Sequence, residues 1–170
     1  MSLKVKIGDH VPSVGLRASD GYLLNLRSLV TKQPVAVLFF GAATLEGAAR
    51  RRGTKAAVAL GDGYERLREA GIEVTGVSCD SAEQQAEYLQ ETRLPYLLMS
   101  DERRTAVEML GIPTVAAGEN VNVAQSVLIV IGREGEIREI LTEIDPSAVV
   151  DQVMAALAEP MPLAETRPGS

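Results

Sequence analysis

The stretch Gln33-Pro34-Val35-Ala36-Val37-Leu38-Phe39-Phe40-Gly41-Ala42-Ala43-Thr44-Leu45-Glu46-Gly47-Ala48 decides the fold. Val35 to Phe40 is a continuous apolar run, the mark of a strand buried on both faces. Phe39 and Phe40 are therefore expected to be internal and not part of a surface patch. From about Thr44 the pattern turns helical and runs to about Ala70. Gly53, Gly61 and Gly63 punctuate it, so the spacing predicts two helices or one broken helix. Gly71 is placed as the C-cap.

The same alternation of periods continues outward. Val11 to Leu16 and Tyr22 to Leu26 flank Asp20-Gly21, a strong hairpin signal ahead of the first buried strand. Ile72 to Ser78 is the next strand. Ser81-Ala82-Glu83-Gln84 has the form of a capping box opening a helix to about Thr92. Tyr96 to Met99 is a short strand, and Arg103 to Leu110 a short helix ended by Gly111. Val123 to Ile131 reads as one long apolar strand. Arg133 to Glu136 turns into a strand over Ile137 to Ile144. Asp145-Pro146 opens a last helix to about Glu159, with Asp as N-cap and Pro at the first helical position. Val149, Val150, Val153 and Leu157 give that helix one apolar face. Strands alternating with helices, followed by a hairpin and a helix, predict an α/β fold with a mixed central sheet flanked by helices. Residues 1–159 are expected to form a single domain. The tail 160–170, with three prolines and no periodicity, is expected to be disordered.

Composition excludes several classes of function. The net charge of −6 argues against general nucleic-acid binding and against attraction to anionic membranes. No apolar run approaches the roughly 20 residues of a transmembrane helix. Two lysines near Met1 have no apolar run behind them, so no secretory leader is expected. One Cys allows no disulfide within the chain, which fits a cytoplasmic, reducing setting. One Cys and one His cannot build a structural metal site, and no cofactor motif is present. In particular, Gly61-Asp62-Gly63 lacks the Gly-Lys-Ser/Thr of a phosphate loop.

Short motifs then add a family resemblance. Ile7-Gly8-Asp9-His10-Val11-Pro12, Asp20-Gly21 with Leu26-Arg27-Ser28-Leu29, Gly76-Val77-Ser78-Cys79-Asp80-Ser81, Leu94-Pro95-Tyr96 through Ser100-Asp101, and Ile131-Gly132-Arg133-Glu134-Gly135 occur in order. Together they resemble the peroxiredoxins of the alkyl hydroperoxide reductase and thiol-specific antioxidant family, with the closest look to the bacterioferritin-comigratory subgroup. The resemblance covers about residues 5 to 157. It implies a thioredoxin fold with an N-terminal hairpin, and thiol peroxidase chemistry in the family. It also implies a monomer, a homodimer or a protein or thiol redox partner. Members pair through sheet edges or through the loop that carries the reactive Cys.

The family's reactive loop reads Pro-x-x-x-Thr-x-x-Cys, with a distant Arg. If Thr44 is the family's Thr, Phe40 stands at the Pro position and Gly47 at the Cys position. If the frame slips by one, these become Gly41 and Ala48. Neither frame supplies a Pro or a Cys, and Gln125 and Ser126 stand where the Arg is expected. A glycine or alanine cannot attack a peroxide bond. These seven residues define an expected degenerate pocket without fixed charge. Thr44 also suits a helix N-cap, and Glu46 a helix first turn. Arg50-Arg51-Arg52 reads as a solvated face. His10 reads as a surface residue. Gly111-Ile112-Pro113-Thr114 matches a thioredoxin loop in letters, but a polar loop rather than a strand is expected to follow it.

Two functions follow. One is a non-peroxidase binding or regulatory module on the family's fold. The other is a thiol-dependent oxidoreductase acting through Cys79 with an external reductant. Cys79 ends a buried strand at the C-terminal edge of the sheet, where α/β folds often bind ligands. It also suits a small buried hydrophobe.

Overall fold

The computed structural model describes residues 3–18, 22–29, 33–45, 47–117 and 120–158, with the backbone alone at 29, 44, 116–117 and 120–123. The apolar run at the centre of the sequence becomes the centre of a seven-stranded mixed sheet. The strands are β1 (Gly15–Ala18), β2 (Leu23–Asn25), β3 (Val35–Phe39), β4 (Glu73–Ser78), β5 (Leu98–Ser100), β8 (Val127–Ile131) and β9 (Ile137–Leu141). Their order is β2-β1-β5-β4-β3-β8-β9. β3, β4 and β5 run parallel, and β1, β2, β8 and β9 join antiparallel at the two sides. β6 (Thr114–Ala117) and β7 (Asn120–Ala124) form a separate two-stranded ribbon.

Alternation along β3 divides the core. Val35, Val37 and Phe39 enter one cluster with Leu110 and Ile112, while Ala36, Leu38 and Phe40 enter the other. The second cluster holds the helices α2 (Gly47–Asp62), α3 (Tyr64–Glu69), α4 (Ala82–Thr92) and α6 (Val149–Ala158) against the sheet. On the other face lie α5 (Thr105–Leu110) and the hairpin, which ends in the four-residue turn α1 (Leu26–Leu29). Each Phe is fully buried, as the unbroken apolar run requires.

Several elements match their sequence signals closely. The capping box is complete: Gln84 N–H donates to Ser81 Oγ at 3.2 Å and Ser81 N–H to Gln84 Oε1 at 2.9 Å. The long helical stretch is two helices, broken at Gly63, where a Cβ would run into Val150 of α6. After α3, Gly71 at φ +82° lets its own N–H reach Arg68 C=O and Ile72 N–H reach Leu67 C=O, a complete Schellman motif. Asp145 Oδ1 accepts from Ser147 N–H at 3.0 Å, but residues 146–148 form a turn and α6 opens at Val149, so Asp145 is not its N-cap and Pro146 not its first residue.

Other expectations are corrected. The stretch Val123 to Ile131 is two strands, because the chain leaves β7 at Gln125 and re-enters the main sheet at Val127. A strand, β6, does follow Gly111-Ile112-Pro113, and its partner is β7. The first strand starts at Gly15 rather than Val11, β5 sits two residues later than expected, and β9 stops at Leu141. The Asp20-Gly21 turn, Glu46, part of the polar loop at 118–119 and the tail 160–170 lie outside the described residues.

Candidate functional site

β3 delivers Phe40 and Gly41, both buried, to the C-terminal edge of the sheet. Ala42–Thr44 then makes one 3₁₀ turn, with Ala42 at φ +46°, and α2 opens at Gly47 with φ +64°. Thr44 therefore lies within that turn, short of the α2 cap position. The glycine at 41 has an ordinary φ of −83°. Its reason is space: a Cβ there would run into the side chain of Leu45. Leu45 folds back under the loop and closes the volume that a side chain at 41 would use.

A buried carboxylate holds this loop. Asp80 is 0% exposed, and its Oδ2 accepts from Ala43 N–H at 3.1 Å and from Ser78 Oγ at 2.9 Å. Gln85 Nε2 in turn donates to Ser78 Oγ at 3.0 Å and to Met99 C=O at 2.9 Å, and Ser100 Oγ donates to Asp80 C=O at 2.6 Å. A buried polar group is tolerated where such donors surround it. The network offsets the positive φ at Ala42, a conformation that non-glycine residues adopt at a cost. Sequence reading treats Asp80 only as a neighbour of Cys79. Its partner Ala43 is 37 residues away, and only its position at a strand end hints at the role.

A cavity of about 370 Å³ opens between α2, the β7–β8 junction and the segment after β9. Leu45, Ala49, Gln125 and Ser126 line it, so the structure brings together the expected Gln125 and Ser126 beside the loop. Phe40, Gly41, Gly47 and Ala48 are not in its wall. The first two are buried and the last two are exposed on the first turn of α2. Arg52 and Glu143 also line the cavity, so it carries charge of both signs. Ser126 comes close to α2 because residue 53 is glycine: a Cβ there would sit 3.4 Å from Ser126 Oγ.

The arginine run divides by function. Arg50 pairs with Glu91 at 3.0 Å and stacks over the Tyr88 ring, 5.5 Å from its centroid. Arg51 and Arg52 are exposed. His10 is exposed as well.

Cys79 lies in the other core cluster, with Phe39, Val77 and Ala124, on the opposite face of the sheet from Phe40 and Ala42. It is 5% exposed. Burial pushes its thiol pKa up. Arg104 and the Ala124 N–H pull it down, and Asp101 and Asp80 add to the rise. Asp101 itself is held by N–H groups of Ala106 and Val107 at the start of α5. A thiol needs the thiolate form to react, so this environment works against it. Among the described residues, no helix is long and apolar enough to cross a membrane.

Residues 7–140 match the AhpC/TSA family. Peroxiredoxin Q, chloroplastic, of Oryza sativa subsp. japonica is 36% identical over 110 residues, which are 65% of this chain and 48% of that protein. The chain thus matches about half the length of such curated relatives. Peroxiredoxin bcp1 of Schizosaccharomyces pombe is 25% identical over 160 residues, covering 93% of this chain and 77% of that one. Among solved structures, peroxidoxin BcpB from Mycobacterium tuberculosis superposes with a TM-score of 0.76 at 25% identity, covering 96% and 99% of the two chains. The mixed sheet with its hairpin and flanking helices is therefore a thioredoxin-fold peroxiredoxin architecture. The chain belongs to the AhpC/TSA family and is a peroxiredoxin-like protein of the bacterioferritin-comigratory type.

Proposed function

We propose that this chain is a non-peroxidase member of its family, a binding or regulatory module whose site is the cavity beside the remodelled loop. The observation that carries the reading is the pairing of Gly41 with Leu45. In either frame the loop has no thiol, and Leu45 fills the volume a shielding side chain at 41 would need. Gln125 and Ser126 replace the distant arginine with neutral hydrogen-bonding groups at the cavity wall. A homodimer or a protein partner would suit such a module, as would a cytoplasmic setting with its lone thiol kept reduced.

A second reading keeps the family's redox chemistry and assigns it to Cys79 with an external thiol. The Arg104 cation and the Ala124 N–H, both of which favour the thiolate, are the observations in its favour. The two separate in one assay. Peroxide consumption is followed with excess dithiothreitol for the natural protein and for Cys79→Ser. Turnover at background in both supports the binding module. Turnover that disappears in Cys79→Ser overturns it and establishes a relocated redox centre.

A further inference from the structure

The cavity beside the loop carries two opposite charges that are unmatched among the described residues. Two surface pairs of the helical face close within the protein, Arg50 with Glu91 at 3.0 Å and Arg66 with Asp151 at 2.9 Å. Arg52 and Glu143 line the same cavity, yet among the described residues neither has an ion-pair partner and no bridge joins them. The side chains of Gln125 and Ser126 likewise have no hydrogen-bond partner among the described residues. The rest of the wall is mostly apolar, with Leu45, Ala56 and Ile144, and Thr142 adds a hydroxyl-bearing side chain. We propose that the cavity binds a small zwitterion with an apolar body, an α-amino acid, its carboxylate held by Arg52 and its ammonium by Glu143.

The charges select among ligand classes. A simple carboxylate would satisfy Arg52 but face the Glu143 charge. A simple amine would do the reverse. A zwitterion answers both, since charge-assisted hydrogen bonds are stronger than neutral ones and unlike charges favour binding where like charges oppose it. The volume of about 370 Å³ is at the small end of ligand sites. It suits one amino acid rather than a nucleotide or a peptide. Gln125 and Ser126 would add neutral hydrogen bonds to the same carboxylate.

This inference rests on reading the cavity as a binding site, and the experiment keeps the two apart. Isothermal titration compares L-phenylalanine with 3-phenylpropanoate, which lacks the ammonium, and 2-phenylethylamine, which lacks the carboxylate. The expected result is saturable phenylalanine binding, at least about tenfold tighter than either analogue. Arg52→Gln and Glu143→Gln should each remove most of that advantage, while Glu143→Gln leaves 3-phenylpropanoate binding unchanged or tighter. Both positions are exposed, and thermal melts confirm that the variants fold. An analogue that binds as tightly as phenylalanine, or no saturable binding by phenylalanine to folded protein, overturns the inference. Peroxide turnover through Cys79 would instead overturn the non-peroxidase reading and leave the titration result standing.

Discussion

Gly41 and Leu45 compete for one volume, and that competition gives the residue-scale test of the loop. Gly41 needs no special φ, and the atoms nearest to a side chain there are those of Leu45. Gly41→Ala is expected to destabilise the protein by about 1–3 kcal/mol through overpacking. Leu45→Ala should cost stability in the natural background and recover part of the loss in the Gly41→Ala background. Urea unfolding of the double-mutant cycle reads the coupling, and simple additivity would mean that the residues do not share the space. Cys79 gives a second test. At neutral pH, alkylation of its buried thiol should be slow in the folded protein and fast after denaturation. Fast native alkylation would restore Cys79 as a reactive centre. That residues 41–48 hold no thiol is plain in the sequence, because it is a matter of letters. The reason for Gly41 was hidden, because it depends on where the Leu45 side chain turns. Arg52 was hidden for the same reason: three consecutive arginines on a helix look alike until the wall each one meets is known.

Elements with local signals were legible, and elements defined by distant partners were not. The capping box at Ser81 is written within four residues, and both of its hydrogen bonds form. Ser81→Ala is therefore expected to cost about 0.5–2 kcal/mol by loss of the cap, measured by urea unfolding. A change of a tenth of that would mean that the N-terminus of α4 is held by its tertiary contacts instead. The run from Val123 to Ile131 shows the opposite case. Its apolar letters continue past Gln125, but Gln125 N–H donates to Pro113 C=O at 2.8 Å and ties the junction to the segment before β6. The break comes from pairing β7 with β6, whose residues lie on the far side of a loop. Periodicity carries no record of that partner, and it made the strand after Pro113 look like a loop. The candidate site inherited the error, since the cavity lies where β7 and β8 part.

At the scale of the whole molecule, the two-sided core leaves a signature in alkaline stability. Its buried thiol and phenols all favour their neutral forms. Burial raises Cys79 above its ordinary 9.0. Burial, with the hydrogen bond to Glu73 and the charge of that carboxylate, pushes Tyr64 up to about 12, against a lowering by Arg68. Tyr88 and Tyr96 are also raised, chiefly by burial. Each group holds its proton more tightly folded than unfolded, so between the two pKa values the unfolded chain has fewer protons bound. Stability contributed by these groups is complete below the unfolded pKa and falls as pH rises through the folded one. The loss should begin near pH 9 with Cys79 and steepen above pH 10 as the tyrosines join. Urea unfolding across that range in Cys79→Ala should lack the first part of the decline while keeping the second. Near-ultraviolet titration of the folded protein should show Tyr64, Tyr88 and Tyr96 ionising above the ordinary phenol value of 10.0. If these three ionise near pH 10 while the protein stays folded, the phenols are not shielded as the second core cluster requires. The packing of helices α2, α3, α4 and α6 against the sheet would then need to be revised.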